Sequence, residues 1–237
     1  MNTATSTGPA LLGSSTHGRL RTAVGRLQHL YFKLFLKKRH DGFVLENVCD
    51  AALVVAPGVL NPRLMRTGQF FAAYLSSQRV GQNADVLDMG TGSGVCAVVT
   101  ARHARHVVAV DINPAAVRCA RINTLMNRVE DRVEVLEGDL FEPLAGRRFD
   151  VILFNPPFLR GKPRDDADRA WRSTDVPERF AAGLRAHLAP TGCALVLLSS
   201  FGGAGDFEHQ FRRHGFELQV VAQREYINET LILAKLT

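Results

Sequence analysis

Asp85-Val-Leu-Asp-Met-Gly-Thr-Gly-Ser-Gly94, running into Val95-Cys-Ala-Val-Val-Thr-Ala-Arg-His103, is the stretch whose reading decides the fold. An apolar run ends in three alternate glycines, and helix-compatible sequence follows at once. Glycine accepts left-handed torsions and lets the backbone approach another group closely, so this is a strand, a tight turn and a helix. The helix amino terminus faces the turn, which favours a nucleotide-like ligand there. Outward from it, Val86-Leu87, His106 to Val110, Val133 to Leu136, Phe149 to Phe154, Ala194 to Leu198, Phe216 to Val221 and Thr230 to Leu236 read as strands. Helical patterns near residues 94–104, 114–127 and 177–188 lie among the first five, and another near 204–214 precedes the sixth. Parallel strands need such crossovers. The expected class is α/β: a Rossmann-like seven-stranded, mostly parallel sheet with helices on both faces. The last two strands are separated only by Arg224 to Glu229, so they form a C-terminal antiparallel hairpin.

Upstream, Phe43 to Val48 and Ala51 to Val55 read as a second hairpin turning near Asn47 to Asp50. Pro57-Gly58 ends that unit, and Arg66 to Ser76 is helical again. The segment from Leu27 to Leu36 places Leu27, Leu30, Tyr31 and Leu34 on one helical face. Residues 1–80 therefore read as an extension of basic arm, helix and β-hairpin, and residues 81–237 as a catalytic-type domain.

The 237 residues carry 29 basic and 23 acidic side chains, a net charge of +6, and are 46% hydrophobic. That apolar content suffices for one sizeable domain and excludes disorder throughout. No uncharged apolar run reaches the ~18 residues of a membrane span, which excludes a transmembrane transporter or channel. Arg19, Arg21, Arg26, Lys33, Lys37, Lys38 and Arg39 fall in the first 40 residues with no acid, leaving 22 basic against 23 acidic residues for the remainder. The basic character thus belongs to the amino-terminal arm. Three readings stand for it: a contact for nucleic acid or an anionic surface, a transit peptide, or a leader and helix packed on the domain. Cytoplasmic location is expected, with organelle targeting by residues 1–40 the alternative. Cys49, Cys96, Cys119 and Cys193 are scattered without a C-x-x-C pair, which points to reduced, mostly buried thiols.

The glycine spacing is G-x-G-x-G, whereas a dinucleotide fingerprint is G-x-G-x-x-G. Asp88 also stands two residues before Gly90, where a carboxylate would repel a pyrophosphate but suits a cationic ligand. Asp111, 17 residues past Gly94 at the end of a strand, can accept two hydrogen bonds from a ribose diol. Its alternative role, capping the helix that begins at Pro114, fits Asn113 better. On Asp88-x-Gly90-x-Gly92-x-Gly94, Asp111 in Val-Ala-Val-Asp-Ile-Asn-Pro and Asp139 in Glu-Gly-Asp-Leu, the chain resembles the class I methyltransferases that use S-adenosylmethionine, over residues 84–200. The resemblance implies that Asp88, Gly90, Thr91, Gly92 and Gly94 hold the methionine part. It further implies that Asp111 and Ile112 meet the ribose, that Asp139 and Leu140 meet the adenine, and that S-adenosylhomocysteine is the product.

The fourth strand runs into Asn155-Pro156-Pro157-Phe158. Two prolines fix the backbone and remove two donors, so the Asn155 side-chain oxygen and the Pro156 carbonyl make a rigid acceptor pair suited to an NH₂ group. Phe158 can stack on a planar substrate. Such a pair aims the nitrogen lone pair, and neither a metal nor a strong base is required. The tetrapeptide resembles the [D/N/S]-P-P-[Y/F/W] motif of methyltransferases acting on planar nitrogens, whose acceptors are exocyclic base amines or a glutamine amide. This places the chain beside the small-domain and HemK-like N-methyltransferases. An RNA or protein acceptor is expected; a small-molecule N-methyltransferase and a non-catalytic nucleic-acid-binding module are the rival readings.

Beyond the motif, Arg160, Lys162, Arg164, Arg169 and Arg172 surround Trp171, the single tryptophan, among Asp165, Asp166 and Asp168. This composition suits a nucleic-acid contact or a lid over the cofactor equally. With the sixth strand parallel to the core, Tyr226 and Asn228 fall at the ligand face and help shape the pocket. His103 and His106 straddle a helix-to-strand boundary and read as structural. Gly202-Gly203-Ala-Gly205 reads as a flexible turn, and Ser199-Ser200 lacks the surroundings of a nucleophile.

Overall fold

A computed structural model describes residues 42–237. The basic arm and the helix read at Leu27 to Leu36 lie outside the described residues. The described chain opens with the hairpin β1 (Val44–Val48) and β2 (Ala51–Val55), then helix α1 (Arg66–Ser77). The alternating core follows as β3 (Asp85–Met89), α2 (Val95–Ala101), β4 (His106–Asp111), α3 (Pro114–Met126), β5 (Val133–Glu137) and β6 (Phe149–Phe154). Two short strands, β7 (Leu159–Arg160) and β8 (Arg172–Ser173), precede α4 (Val176–His187), β9 (Leu188–Ser199), α5 (Ala204–Arg213), β10 (Leu218–Glu225) and β11 (Thr230–Leu236).

The large sheet has seven strands in the order β10-β11-β9-β6-β3-β4-β5. β3 runs parallel to β4 and β6, β4 to β5, and β6 to β9. β11 is antiparallel to both β9 and β10, so β10 returns to the direction of the core. Side chains alternate across the pleat and fill two layers. Val107, Ala109, Leu195 and Leu197 face the core beneath α1, α2 and α3, whereas Val108, Val110, Val196 and Leu198 face Phe180 and Leu184 of α4 and Phe207 and Phe211 of α5. Continuous apolar runs are what a sheet buried on both faces requires.

Three boundaries differ most from the reading of the sequence. β9 begins at Leu188 and not at Ala194, because Phe149 pairs with Leu188 before an irregularity restores the register at Val151 and Cys193. β10 covers Leu218–Glu225 and not Phe216 to Val221: Phe216 turns back onto the α5 end, its N–H donating to the Phe211 carbonyl, while Gln223, Arg224 and Glu225 extend the edge strand along β11. Edge strands accept such polar residues because one side faces water. β7 and β8 were not expected at all, since two-residue strands leave no periodicity to read.

The hairpin begins at Val44, one residue later than expected, keeps the expected span of β2, and turns at Cys49 and Asp50, both with positive φ, as the tight hairpin turns require. Its free edge is satisfied by side chains. Asn123 of α3 accepts from the Val54 N–H at 2.7 Å and donates to the Val54 carbonyl at 2.8 Å, and Asn127, one turn later, does the same for Ala52. Leu53, Phe71 and Leu75 join the same core as α2. Among the described residues, no helix is long and apolar enough to cross a membrane.

Candidate active site

Met89 pairs with Val110 on one side and Phe154 on the other. Gly90, Asp111 and Asn155 therefore emerge side by side at the carboxyl ends of β3, β4 and β6. The chain order reverses at β3, and the crevice outside such a reversal is where ligands bind in open α/β sheets. Gly90, Gly92 and Gly94 have φ of +64°, +57° and +82°. At Gly94 an added Cβ would lie 3.1 Å from the Ala120 backbone, so this glycine serves loop-to-helix packing. At Gly92 an added Cβ would meet nothing within 4 Å, so this side of the loop is open.

The three acids have different surroundings. Asp88 is buried, and its Oδ2 accepts from the Thr91 hydroxyl at 2.6 Å and from the Ala97 N–H at 3.0 Å. Burial outweighs both hydrogen bonds and pushes its carboxyl up to about 7. Asp111 is half-buried, accepting from the Gly92 N–H at 2.8 Å and the Asn113 N–H at 2.9 Å; burial raises its carboxyl above the ordinary range too. The cap of α3 is Asn113, whose side chain accepts from the Ala115 N–H with Pro114 next to it, so Asp111 is free of that duty. Ile112 follows it directly and is half-buried. Asp139 is engaged by Arg179 of α4 at 2.9 Å, a partner nothing in the local sequence signalled. Leu140 beside it has φ +50° and packs on the α4 and α5 core. A cleft of about 410 Å³ opens at the start of α3, between Gly58, Asn113 and Pro114, Arg118, and Asp166 with Ala167.

Asn155 supplies the most informative atom: its side-chain oxygen is buried and has no hydrogen-bond partner. A buried acceptor left without a donor costs about 1–3 kcal/mol, so such an atom is kept for something that will bind it. Pro156 is buried, and Pro157 and Phe158 are half-buried. The Phe158 carbonyl accepts from the Gly203 N–H at 2.6 Å.

The Arg160 to Arg172 segment is internally compensated. Arg160 bonds Glu178 and Asp206, each at 2.7 Å; Arg164 and Arg172 both reach the buried Asp168; Arg169 meets Asp166. The Arg164 guanidinium, ahead of Arg172, holds the Asp168 carboxyl down at about 2. Asp165, Asp166 and Ala167 face Gly58 across the cleft at the start of α3, so the segment walls that cleft with its arginines paired to acids. Tyr226 and Asn228 do sit at the ligand end of the sheet. Arg66 donates to the Asn228 side-chain oxygen at 3.2 Å and lies 4.5 Å from the Tyr226 ring centre. His103 contacts the Val80 carbonyl at 2.7 Å. Ser199 donates to Glu229 at 2.6 Å, tying β9 to the hairpin turn. Arg66, Arg179 and Asn123 had no motif to announce them, because each acts across 30 residues or more.

The methyltransferase small-domain model matches residues 52–227. The release factor glutamine methyltransferase of Geobacter sulfurreducens is 40% identical over 186 residues, covering 72% of this chain and 63% of that protein. Ribosomal RNA small subunit methyltransferase C of Alcanivorax borkumensis is 35% identical over 152 residues, covering 64% of this chain and 43% of its own length. The chain thus spans less than two thirds of either relative. Among solved structures, the ribosomal protein L11 methylase of Lactobacillus delbrueckii subsp. bulgaricus superposes with a TM-score of 0.56 at 19% identity, covering 76% of this chain and 82% of that one. The fold, the glycine loop with its acids and the family match together show that the chain belongs to the methyltransferase small-domain family, whose members are S-adenosylmethionine-dependent enzymes.

Proposed function

We propose that the chain methylates a planar NH₂ nitrogen, with a protein glutamine amide as the first acceptor class. The observation that carries this is the buried, unpartnered side-chain oxygen of Asn155 at the end of β6. It is the acceptor an NH₂ group would satisfy, with the Pro156 carbonyl beside it for the second N–H. In this reading Asp88, Gly90, Thr91, Gly92 and Gly94 hold the methionine part of the cofactor, Asp111 and Ile112 the ribose, and Asp139 and Leu140 the adenine. The open side at Gly92 and the Asp111 carboxylate at the end of β4, fixed by backbone N–H groups, fit that group. S-adenosylmethionine, when bound, supplies an electrophilic methyl carbon on a sulfonium.

Asn155 and Pro156 orient the acceptor so that its lone pair lies in line with that carbon. Phe158 covers the acceptor plane and excludes water. With the cofactor held there, its methyl would pass to the nitrogen that Asn155 and Pro156 orient, leaving S-adenosylhomocysteine, and the nitrogen's extra proton would go to solvent. An amide acceptor is favoured because the four arginines Arg160, Arg164, Arg169 and Arg172 are paired with acids, which reduces the electrostatic footprint a nucleic acid would use there. The likeness to a release factor glutamine methyltransferase supports the same choice. An RNA exocyclic amine is the second reading, supported by the likeness to a ribosomal RNA methyltransferase. A cytoplasmic location belongs to either reading.

The test is transfer of labelled methyl from S-adenosylmethionine into total protein, total RNA and a metabolite extract, with Asn155→Ala as control. Label in protein that vanishes in the variant is the expected result. Label in RNA would replace the acceptor class, and label confined to metabolites would overturn the macromolecular reading.

A further inference from the structure

The Gly202–Gly203 step that links β9 to α5 is read from sequence as a flexible turn, and the structure shows it packed against the Asn155 to Phe158 loop. A Cβ on Gly202 would lie 2.3 Å from the Phe158 carbonyl oxygen and 2.8 Å from both its carbonyl carbon and its Cβ. The next N–H, on Gly203, donates to that same oxygen at 2.6 Å. Gly205, two residues on, has nothing within 4 Å. The closeness is therefore specific to the positions that face Phe158.

A second link fastens the same two segments. Arg160, two residues past Phe158, bonds Asp206 in the first turn of α5 and Glu178 of α4. Upstream, the loop cannot anchor itself by main-chain donors, since Pro156 and Pro157 have none. We infer that Gly202 and Gly203 are positioning residues: their bare backbone sets the height of the Phe158 carbonyl and, through the rigid prolines, the placement of the Asn155 oxygen for the acceptor. This rests on the proposed role of Asn155. Neither glycine touches the acceptor. Reaction rates respond to such placement, and about 1 Å of error can cost on the order of 100-fold.

The experiment compares Gly202→Ala, Gly203→Ala and Gly205→Ala with Asn155→Ala. It measures initial methyl transfer into the fraction labelled by the wild type, affinity for S-adenosylhomocysteine, and hydrogen exchange of the segments at 157–160 and 204–213. Gly202→Ala is expected to slow transfer by about 10-fold to 100-fold and to raise exchange at 157–160, with homocysteine-analogue affinity within about twofold of wild type. Gly203→Ala, where an added Cβ would lie 3.3 Å from the Phe158 oxygen, should do the same more weakly, and Gly205→Ala should do neither. If Gly202→Ala does not fold, Gly203→Ala decides. Wild-type transfer and exchange in both, or loss of cofactor affinity in step with transfer, overturns the inference. If Asn155→Ala keeps full activity, the reading of the site fails instead, whereas a dead Asn155→Ala beside fully active glycine variants sinks only the positioning role. Where no fraction is labelled, unchanged exchange at 157–160 in Gly202→Ala is sufficient to reject it.

Discussion

Replacing Asp88 with Asn probes the electrostatics of the glycine loop without involving the acceptor. Burial holds this carboxyl at about 7 in the folded chain, against about 4 for an unfolded aspartate. Between those values the folded state keeps a proton that the unfolded state has released. The contribution of Asp88 to stability therefore falls as pH rises from about 4 to about 7, by at most about 1.4 kcal/mol per pH unit and roughly 4 kcal/mol in all. Asn retains an oxygen for the Thr91 hydroxyl and the Ala97 N–H and does not titrate. Urea unfolding of ligand-free protein at several pH values from 4.5 to 8 should give near-equal stabilities at the acid end. The variant should lead by about 2–4 kcal/mol at pH 8. Titrating groups remote from Asp88 are common to both proteins and cancel; the neighbouring Asp111 charge is part of what raises Asp88 and is relieved in the variant. The same variant should bind S-adenosylhomocysteine more weakly, a gain in stability with a loss of function. Parallel stability profiles, or a variant less stable than wild type at pH 8, would refute the argument.

Other expectations are separable from this one. Asn155→Ala should abolish transfer while changing S-adenosylhomocysteine affinity by less than about twofold if, as proposed, the residue orients the acceptor; calorimetric titration beside the methyl-transfer assay checks this. Asp111→Ala should lose cofactor affinity by about 100-fold or more, since it removes charge-assisted acceptors for a ribose diol and frees the Gly92 N–H. Asn123→Ala removes three hydrogen bonds to Val54 and Ser93 from a fully buried site and should cost about 2–4 kcal/mol in urea unfolding; a loss under about 0.5 kcal/mol would mean that packing and the Asn127 pair hold the hairpin without it. Asp168→Asn leaves Arg164 and Arg172 without their shared partner, so trypsin should cut the segment after Arg164 and Arg169 faster than in wild type.

The sheet and its ligand end could be read from the chain because the signals are local and periodic. Each strand or helix carries its own periodicity within at most 13 residues, and the glycine turn after Asp88, the acid ending β4 and the Asn-Pro-Pro-Phe exit of β6 are shorter still. Backbone torsion limits and pleat periodicity then decide where each can sit. The partners of those residues follow a different logic. That Asp139 is engaged by Arg179, that Arg66 meets Asn228 and Tyr226, and that Asn123 satisfies the edge of β2 depend on contacts across 30 or more positions.

The Gly202–Gly203 turn shows the distinction most clearly. Its composition permits flexibility, and only the approach of Phe158 from 44 residues earlier in the chain turns that freedom into a tight fit. The arginines after Phe158 are the converse case: their spacing suggests exposed cations until the folded chain delivers Glu178 and Asp206 to Arg160. Sequence by itself determined the α/β alternation, the cofactor-side motif and the acceptor-side motif, because short-range sterics and periodicity suffice for them. Tertiary structure alone decided which charges are paired, which acid is buried enough to hold a proton near neutral pH, and which oxygen is left waiting for a donor, because burial and long-range hydrogen bonding exist only once the layers have packed.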